Sequence, residues 1–301
     1  MTFGGVFLFN FELMSKTLAI FGCGYLGSEL ARQGLARGWK VSALTRNAGT
    51  AATLRDSGVP QVIEAELSSD DWHAALSPEV DYLVNCVGAA SDDVAGYVRS
   101  YVEGQDSLMR WAERGSVGSF VFTSSTSVYP QRGARLVDET SDSVGVSDRA
   151  GLLLAAENRG YAGGNGIDRC FVLRLAGLYG PGRHLLADKV RTGEGFSGNG
   201  DRILNLIHRD DAASAVFSAL EADAVNVGRI YNVSDGAPAP RREIVEWLAG
   251  KLGVDSPGFA EDDGEDVPNR KVSNDRIRNE LGWEPAYASY RAGFEAIFAE
   301  G

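Results

Sequence analysis

Gly22, Gly24 and Gly27 stand at the spacing G-x-G-x-x-G within Phe21-Gly22-Cys23-Gly24-Tyr25-Leu26-Gly27-Ser28. That spacing suits the binding of two linked phosphates. A glycine at 22 permits a tight turn out of a strand. The missing Cβ at 24 lets a pyrophosphate approach the backbone, and a glycine at 27 lets the next helix pack closely on the strand. The helix start then offers free N–H groups and a positive dipole end. The apolar run Thr17-Leu18-Ala19-Ile20-Phe21 reads as a buried strand and the residues after Gly24 as a helix, which is the context the pattern needs. The turn is therefore expected to hold a dinucleotide through Gly22, Gly24, Tyr25, Leu26 and Gly27. NAD-type sites carry an acid at the end of the second strand, about 20 residues further on, to bind the ribose 2′-hydroxyl. Here that strand ends Leu44-Thr45-Arg46-Asn47, with no acid. The Thr45 hydroxyl and the Arg46 guanidinium suit a 2′-phosphate, so NADP is expected to be preferred, with NAD as the alternative. Asn85, Val87, Gly88 and Ala89 close the fourth strand and should lie along the cofactor.

These residues need a rigid frame. Strands at 40–46, 61–65, 81–88, 117–125 and 168–176 alternate with helices at 28–38, 51–57, 71–76, 92–114 and 149–158. Near-continuous apolar strands in βαβα alternation predict an α/β, Rossmann-type doubly wound parallel sheet covered on both faces. The second half is less regular. A turn at 179–184, a glycine-rich loop at 193–200, strands at 203–208 and 229–233, a helix capped by Asp210 or Asp211, and helices at 242–252 and 274–281 are expected. The acidic stretch 261–266 should be an exposed loop. Residues 16–178, with about 203–235, should form the dinucleotide-binding domain. About 179–202 and 236–301 should form a smaller, interleaved C-terminal portion for substrate, and 1–15 an extension before the fold.

The chain has 301 residues, 44% of them hydrophobic, enough for a substantial core. A net charge of −12 without a basic cluster argues against nucleic acid or an anionic membrane as partner. Cys23, Cys86 and Cys170 are far apart and fall in or beside strands, with no C-x-x-C and no zinc spacing. They read as buried residues in a reducing compartment, and no metal site is expected. No segment is long and apolar enough to span a bilayer, so a cytoplasmic location is expected.

Further stretches carry a resemblance through nearly the whole chain. Tyr101-Val102-Glu103-Gly104-Gln105 resembles N-V-x-G-T, with tyrosine in place of asparagine. Phe120 to Tyr129 resembles an active-site strand reading Thr-Ser-Ser-Thr-Ser-Val-Tyr. Arg174 to Gly182 resembles R-x-x-x-x-Y-G-P-G, and Ile207-His208-Arg209-Asp210-Asp211 resembles I-H-V-D-D. In order, these resemble the extended short-chain dehydrogenase/reductase superfamily, the NAD-dependent epimerases and dehydratases, and look most like its atypical YeeZ-like subgroup.

The resemblance implies a hydride-transfer site in which a tyrosine exchanges the proton, a lysine four residues on lowers its pKa, and a Ser or Thr binds the reacting oxygen. Ser125 falls on the Ser/Thr position, with Thr126 beside it. The Tyr/Lys pair is missing. The lysines are Lys16, Lys40, Lys189, Lys251 and Lys271, and no tyrosine has one four positions on. The helix that should carry the pair offers Arg149, whose guanidinium holds anions but does not exchange protons. Three outcomes stay open. Another group, Tyr129 or a histidine such as His184 or His208, supplies the proton. Or the hydride transfer needs little acid/base help. Or the protein binds cofactor without turnover, as a sensor. Arg149 and Arg183, with Thr126, are the expected contacts to a small polar or sugar-nucleotide-like substrate. The helices at 92–114 and 149–158 could form the dimer face common among relatives.

Overall fold

The computed structural model describes residues 15–161, 166–223, 229–260 and 267–300. Most of the expected N-terminal extension and the acidic stretch 261–266 lie outside the described residues. Seven strands form one parallel sheet: β1 (Thr17–Phe21), β2 (Lys40–Thr45), β3 (Gln61–Glu64), β4 (Glu79–Asn85), β5 (Ser116–Ser125), β6 (Cys170–Leu175) and β7 (Arg229–Val233). Their order is β7-β6-β5-β4-β1-β2-β3. The order reverses between β1 and β4, whose register pairs Phe21 with Asn85. Ligands of doubly wound sheets bind in the crevice at the carboxyl ends of strands at such a switch point.

Successive strand residues point to opposite faces, and both faces are buried. Leu18 and Ile20 pack with Leu30 and Ala31 of helix α1 (Tyr25–Ala36) and with Ala212 and Val216 of a later helix. Ala19 and Phe21 face the other way, against Trp72 and Trp111. Helix α2 (Ala48–Asp56) follows β2, and Asn47 caps it by accepting a hydrogen bond from Thr50 N at 2.8 Å. Helix α3 is continuous over 94–112. It passes from α (Val94–Tyr97) through a π stretch (Val98–Glu103) back to α (Gly104–Ala112). Helix α4 (Asp148–Tyr161) lies against α3 and β5. Residues 71–75 make only a 3₁₀ turn.

The second half adds α5 (Leu185–Thr192), α6 (Arg209–Leu220), α7 (Arg241–Leu252), α8 (Asp275–Leu281) and α9 (Tyr290–Glu300). Ala187 and Val190 of α5, Ile244 and Leu248 of α7, and Phe294 of α9 share a separate apolar cluster with Tyr179. The glycine-rich loop is not wholly irregular, because Phe196–Ser197 pairs with Phe259–Ala260. The cap of α6 differs from the expected aspartate. His208 Nδ1 accepts from Asp210 N at 3.3 Å. Asp211 is buried instead, its carboxylate accepting from Ala286 N at 2.7 Å and Tyr287 N at 3.0 Å. It ties the segment before α9 to α6, so it cannot also cap the helix.

Candidate cofactor and reaction cleft

The three glycines of the turn do three different things. Gly22 has φ +88°, and a Cβ there would meet the Val87 backbone at 2.5 Å. A Cβ on Gly27 would meet Gly22 O at 2.5 Å, which is the close helix–strand approach. A Cβ on Gly24 would meet nothing within 4 Å. It would project into a cavity of about 660 Å³, within the ~300–1,000 Å³ range of small-molecule and cofactor sites. The crowded glycines shape the turn, and the open one leaves room for phosphate. That is a fit for the pyrophosphate of a dinucleotide.

The expected residues Gly22, Gly24, Tyr25, Leu26, Thr45, Arg46, Val87, Gly88 and Ala89 all line this one cavity. Gly27 and Asn85 do not. Asn85 is buried; its Nδ2 donates to Gln105 Oε1 at 2.8 Å and its Oδ1 accepts from Val87 N at 3.2 Å. It holds the end of β4 and so shapes the Val87–Ala89 wall. The Arg46 guanidinium is half-exposed, 3.7 Å from Glu66 and donating to Ala90 O at 3.3 Å. Burial pushes the Cys86 thiol up to about 12 and raises Cys23 as well. Both are therefore protonated and unreactive near neutral pH.

Ser125 reaches the same cavity at the end of β5, where its Oγ accepts from Ser127 N at 3.1 Å. Thr126 is buried, and its carbonyl accepts from Arg270 Nη2 at 2.7 Å. Tyr129 is fully buried and does not line the cavity. Its hydroxyl donates to Asn232 Oδ1 at 2.8 Å and accepts from Arg174 Nη1 at 2.9 Å. Arg174 in turn grips Glu157 of α4 through two bonds, of 3.1 and 2.7 Å, and Ser124 donates to the same carboxylate at 2.6 Å. Burial raises the Tyr129 phenol despite the nearby guanidinium. This network joins β5, β6, β7 and α4, and it engages the tyrosine that the sequence offered for proton exchange.

The remaining candidates are dispersed. Arg149 is exposed on α4, its guanidinium 5.8 Å from the Tyr97 ring, outside the cavity lining. His184 precedes α5 with Nδ1 3.0 Å from Gly180 O, and also lies outside the lining. His208 is buried beneath Tyr179 and Tyr287. Arg183 lines the cavity. The residues lining it include no lysine and no histidine.

Several lining residues were not among the expected ones: Asn47, Thr50, Glu66, Arg99 and Tyr101. Asn47 was legible as an N-cap before the 48–56 helix. Arg99 and Tyr101 come from the π stretch of α3, a local geometry frequent at functional sites but without a sequence signature. Burial pushes the Tyr101 phenol up to about 12. Among the described residues, no group of three or more His, Cys, Asp or Glu could hold a metal ion, and no helix is long and apolar enough to cross a membrane.

Residues 19–234 match the model of the NAD dependent epimerase/dehydratase family. The chain belongs to that family. The match runs from within β1 to the end of β7. Among curated relatives, Protein YeeZ of Escherichia coli K12 is 32% identical over 284 residues, covering 90% of this chain and 96% of YeeZ. A 3-diazoavenalumate denitrifying reductase of Streptomyces is 26% identical, covering 92% of this chain and 98% of the reductase. The UDP-glucuronic acid 4-epimerase of Bacillus cereus, solved with UDP-glucuronic acid and NAD, superposes with a TM-score of 0.82. At 19% identity over 94% of this chain and 98% of the epimerase, it shows the shared fold. The matched residues include the whole glycine turn, Gly22 to Gly27.

Proposed function

We propose that this protein is an NADP-preferring oxidoreductase or epimerase that acts on a small, anionic, sugar-nucleotide-like substrate without a Tyr-x-x-x-Lys pair. The observation that carries this reading is a single cavity that joins the open Gly24 turn, Arg46 and Ser125. Gly22 to Leu26 would hold the cofactor's pyrophosphate, and Val87 to Ala89 would flank it. The Arg46–Glu66 pair is long and half-exposed. Such a pair is weak, which leaves the guanidinium able to turn to a 2′-phosphate. Bound NADP would supply the hydride chemistry, and the Ser125 hydroxyl would orient a substrate oxygen.

The anionic character of the substrate is supported just beyond Ser125. Arg270, which donates to Thr126 O, has its Nε buried without a partner, and no carboxylate pairs with it among the described residues. Burial, reinforced by the like charge of Arg202, pushes its guanidinium down to about 10. It remains a cation near neutral pH, lies behind the Thr126 backbone and not in the cavity lining, and would act on a bound anion only through its field.

A second reading, a cofactor-binding sensor without turnover, is favoured by a cavity lining without lysine or histidine and by the engagement of Tyr129. One experiment separates the two. NADPH and NADH dissociation constants are measured, and NADPH oxidation is followed across carbonyl metabolites that include nucleotide sugars. The enzyme reading expects about tenfold tighter NADPH binding and turnover that falls at least tenfold in Ser125→Ala. A clear NADH preference overturns the NADP assignment. Tight NADPH binding with no turnover on the panel gives the sensor reading instead.

A further inference from the structure

Arg183 follows Gly180-Pro181-Gly182, in the stretch where the sequence suggested a substrate contact. Its placement points elsewhere. Tyr25, the first residue of α1, donates its hydroxyl to Pro181 O at 3.0 Å. Gly180 has φ +150°, and a Cβ there would sit 2.7 Å from the Tyr25 hydroxyl. Glycine at 180 therefore lets the loop close onto the glycine turn. The closure leaves the Arg183 guanidinium 5.5 Å from the Tyr25 ring centroid, with Arg209 5.3 Å from the same ring.

The two arginines differ in their counter-ions. Arg209 has Asp210 at 2.9 Å and Glu29 at 3.5 Å. Among the described residues, no carboxylate pairs with Arg183, which is exposed and lines the cavity together with Gly24 and Tyr25. A cation without a carboxylate partner is thus held beside the start of α1, where the helix presents its free N–H groups. The chain as a whole carries a net charge of −12, so a doubly anionic group approaching it meets a repulsive background that a local cation offsets.

We propose that Arg183 binds the pyrophosphate of the dinucleotide, and that Tyr25 is the clasp that holds the 180–183 loop in place for it. The assignment rests on the reading of the cleft as a dinucleotide site. It makes this loop part of the cofactor site and moves Arg183 out of the substrate site. Guanidinium is suited to the role, since it forms paired, charge-assisted bonds to phosphate oxygens.

The test uses the full chain and two probes: the tighter-binding of NADP⁺ and NAD⁺, by calorimetry, and adenosine, which lacks the pyrophosphate, by saturation-transfer NMR. Arg183→Gln is expected to weaken dinucleotide binding about tenfold, to leave adenosine affinity unchanged, and to make dinucleotide binding less sensitive to salt. Arg183→Lys should recover part of the loss. Tyr25→Phe, which keeps the ring and removes the bond to Pro181, should give a smaller loss of the same kind. Wild-type dinucleotide affinity in Arg183→Gln overturns the assignment alone, as does an equal loss for adenosine. A wild-type protein that binds neither dinucleotide overturns the cofactor reading and the assignment with it.

Discussion

The two ends of the cleft are built from different materials. At the glycine turn the cavity is bordered by residues without side chains, Gly22 and Gly24, and by the start of α1, with Arg46 and Arg183 also in the lining. Below Ser125 the corresponding space is filled by side chains bonded to one another. Glu157, Arg174, Tyr129 and Asn232 form a buried chain of ionic and hydrogen-bonded contacts. The first end is preorganised for a ligand by what it leaves open. The second is held by bonds among its own side chains, although Asn232 Nδ2 is left without a partner, and those bonds keep Tyr129 engaged in structure. Open space for a ligand and a free proton-exchanging group are therefore separable features of this fold, and the chain has the first more plainly than the second.

The largest expected effect comes from breaking the paired end. Arg174→Ala leaves the buried Glu157 carboxylate without a counter-ion, with the Ser124 hydroxyl still bonded to it, at a cost of about 3–5 kcal/mol, read as a lowered denaturant midpoint. Replacing both partners by apolar residues of similar volume should restore most of that loss. A variant as stable as wild type would mean that the network holds nothing together.

A second buried polar site lies beyond this network. Asp235 is buried beyond β7, with one carboxylate oxygen unpartnered. Burial pushes its carboxyl up to about 7, with the Asp211 charge adding to the shift. Its pKa in the folded state thus lies above its ordinary value of 3.8. The favourable contribution of the neutral form is complete below about pH 4 and is lost as pH rises through 7. Asp235→Asn should flatten the fall in stability between pH 5 and 8, and the variant should gain on wild type at the alkaline end by on the order of 3 kcal/mol. Melting temperatures across that range check it. Parallel wild-type and variant curves would show that Asp235 does not titrate there.

Tyr129→Phe removes one doubly bonded hydroxyl from the network and should cost about 1–3 kcal/mol. Dinucleotide affinity should not change, and neither should turnover of an identified substrate at a temperature where the variant is folded. A hundredfold fall in turnover with stability intact would return Tyr129 to the chemistry. The smallest stability effect is expected at the open end. Gly24→Ala meets no atom within 4 Å and should change stability by less than about 0.5 kcal/mol, while weakening the dinucleotide strongly. Gly22→Ala, with positive φ and backbone at 2.5 Å, should lose both stability and binding. The pair separates a glycine needed by the ligand from one needed by the fold.

Much of the frame was legible because its signals are local. The β1–turn–α1 unit and the apolar strands each depend on residues a few positions apart, whereas α2 was expected at 51–57 and starts at Ala48 behind an Asn47 cap that was not expected. Tyr290, Phe294 and Phe298 recur every fourth residue, so α9 also carried a readable pattern that the expected elements omitted. α5 was harder, since a helix over 185–192 is short and keeps only Ala187 and Val190 buried. The start of α6 shows the limit of local rules. Two aspartates stood at plausible cap positions, and the buried bonds of Asp211 to residues 75 and 76 further on decided otherwise.

The same division holds at the site. By itself the sequence determined that a glycine turn joins a strand to a helix, that a parallel α/β sheet supports it, and that a lysine following a tyrosine by four positions is absent. These are matters of spacing along the chain, and backbone geometry follows spacing. Only the tertiary structure decided which side chains were free. Tyr129 meets Arg174 across 45 residues and Asn232 across 103, and Tyr25 reaches Pro181 across 156. Burial and pairing across such separations depend on the packed layers, so the same residue types could have served chemistry or structure until the fold placed their partners.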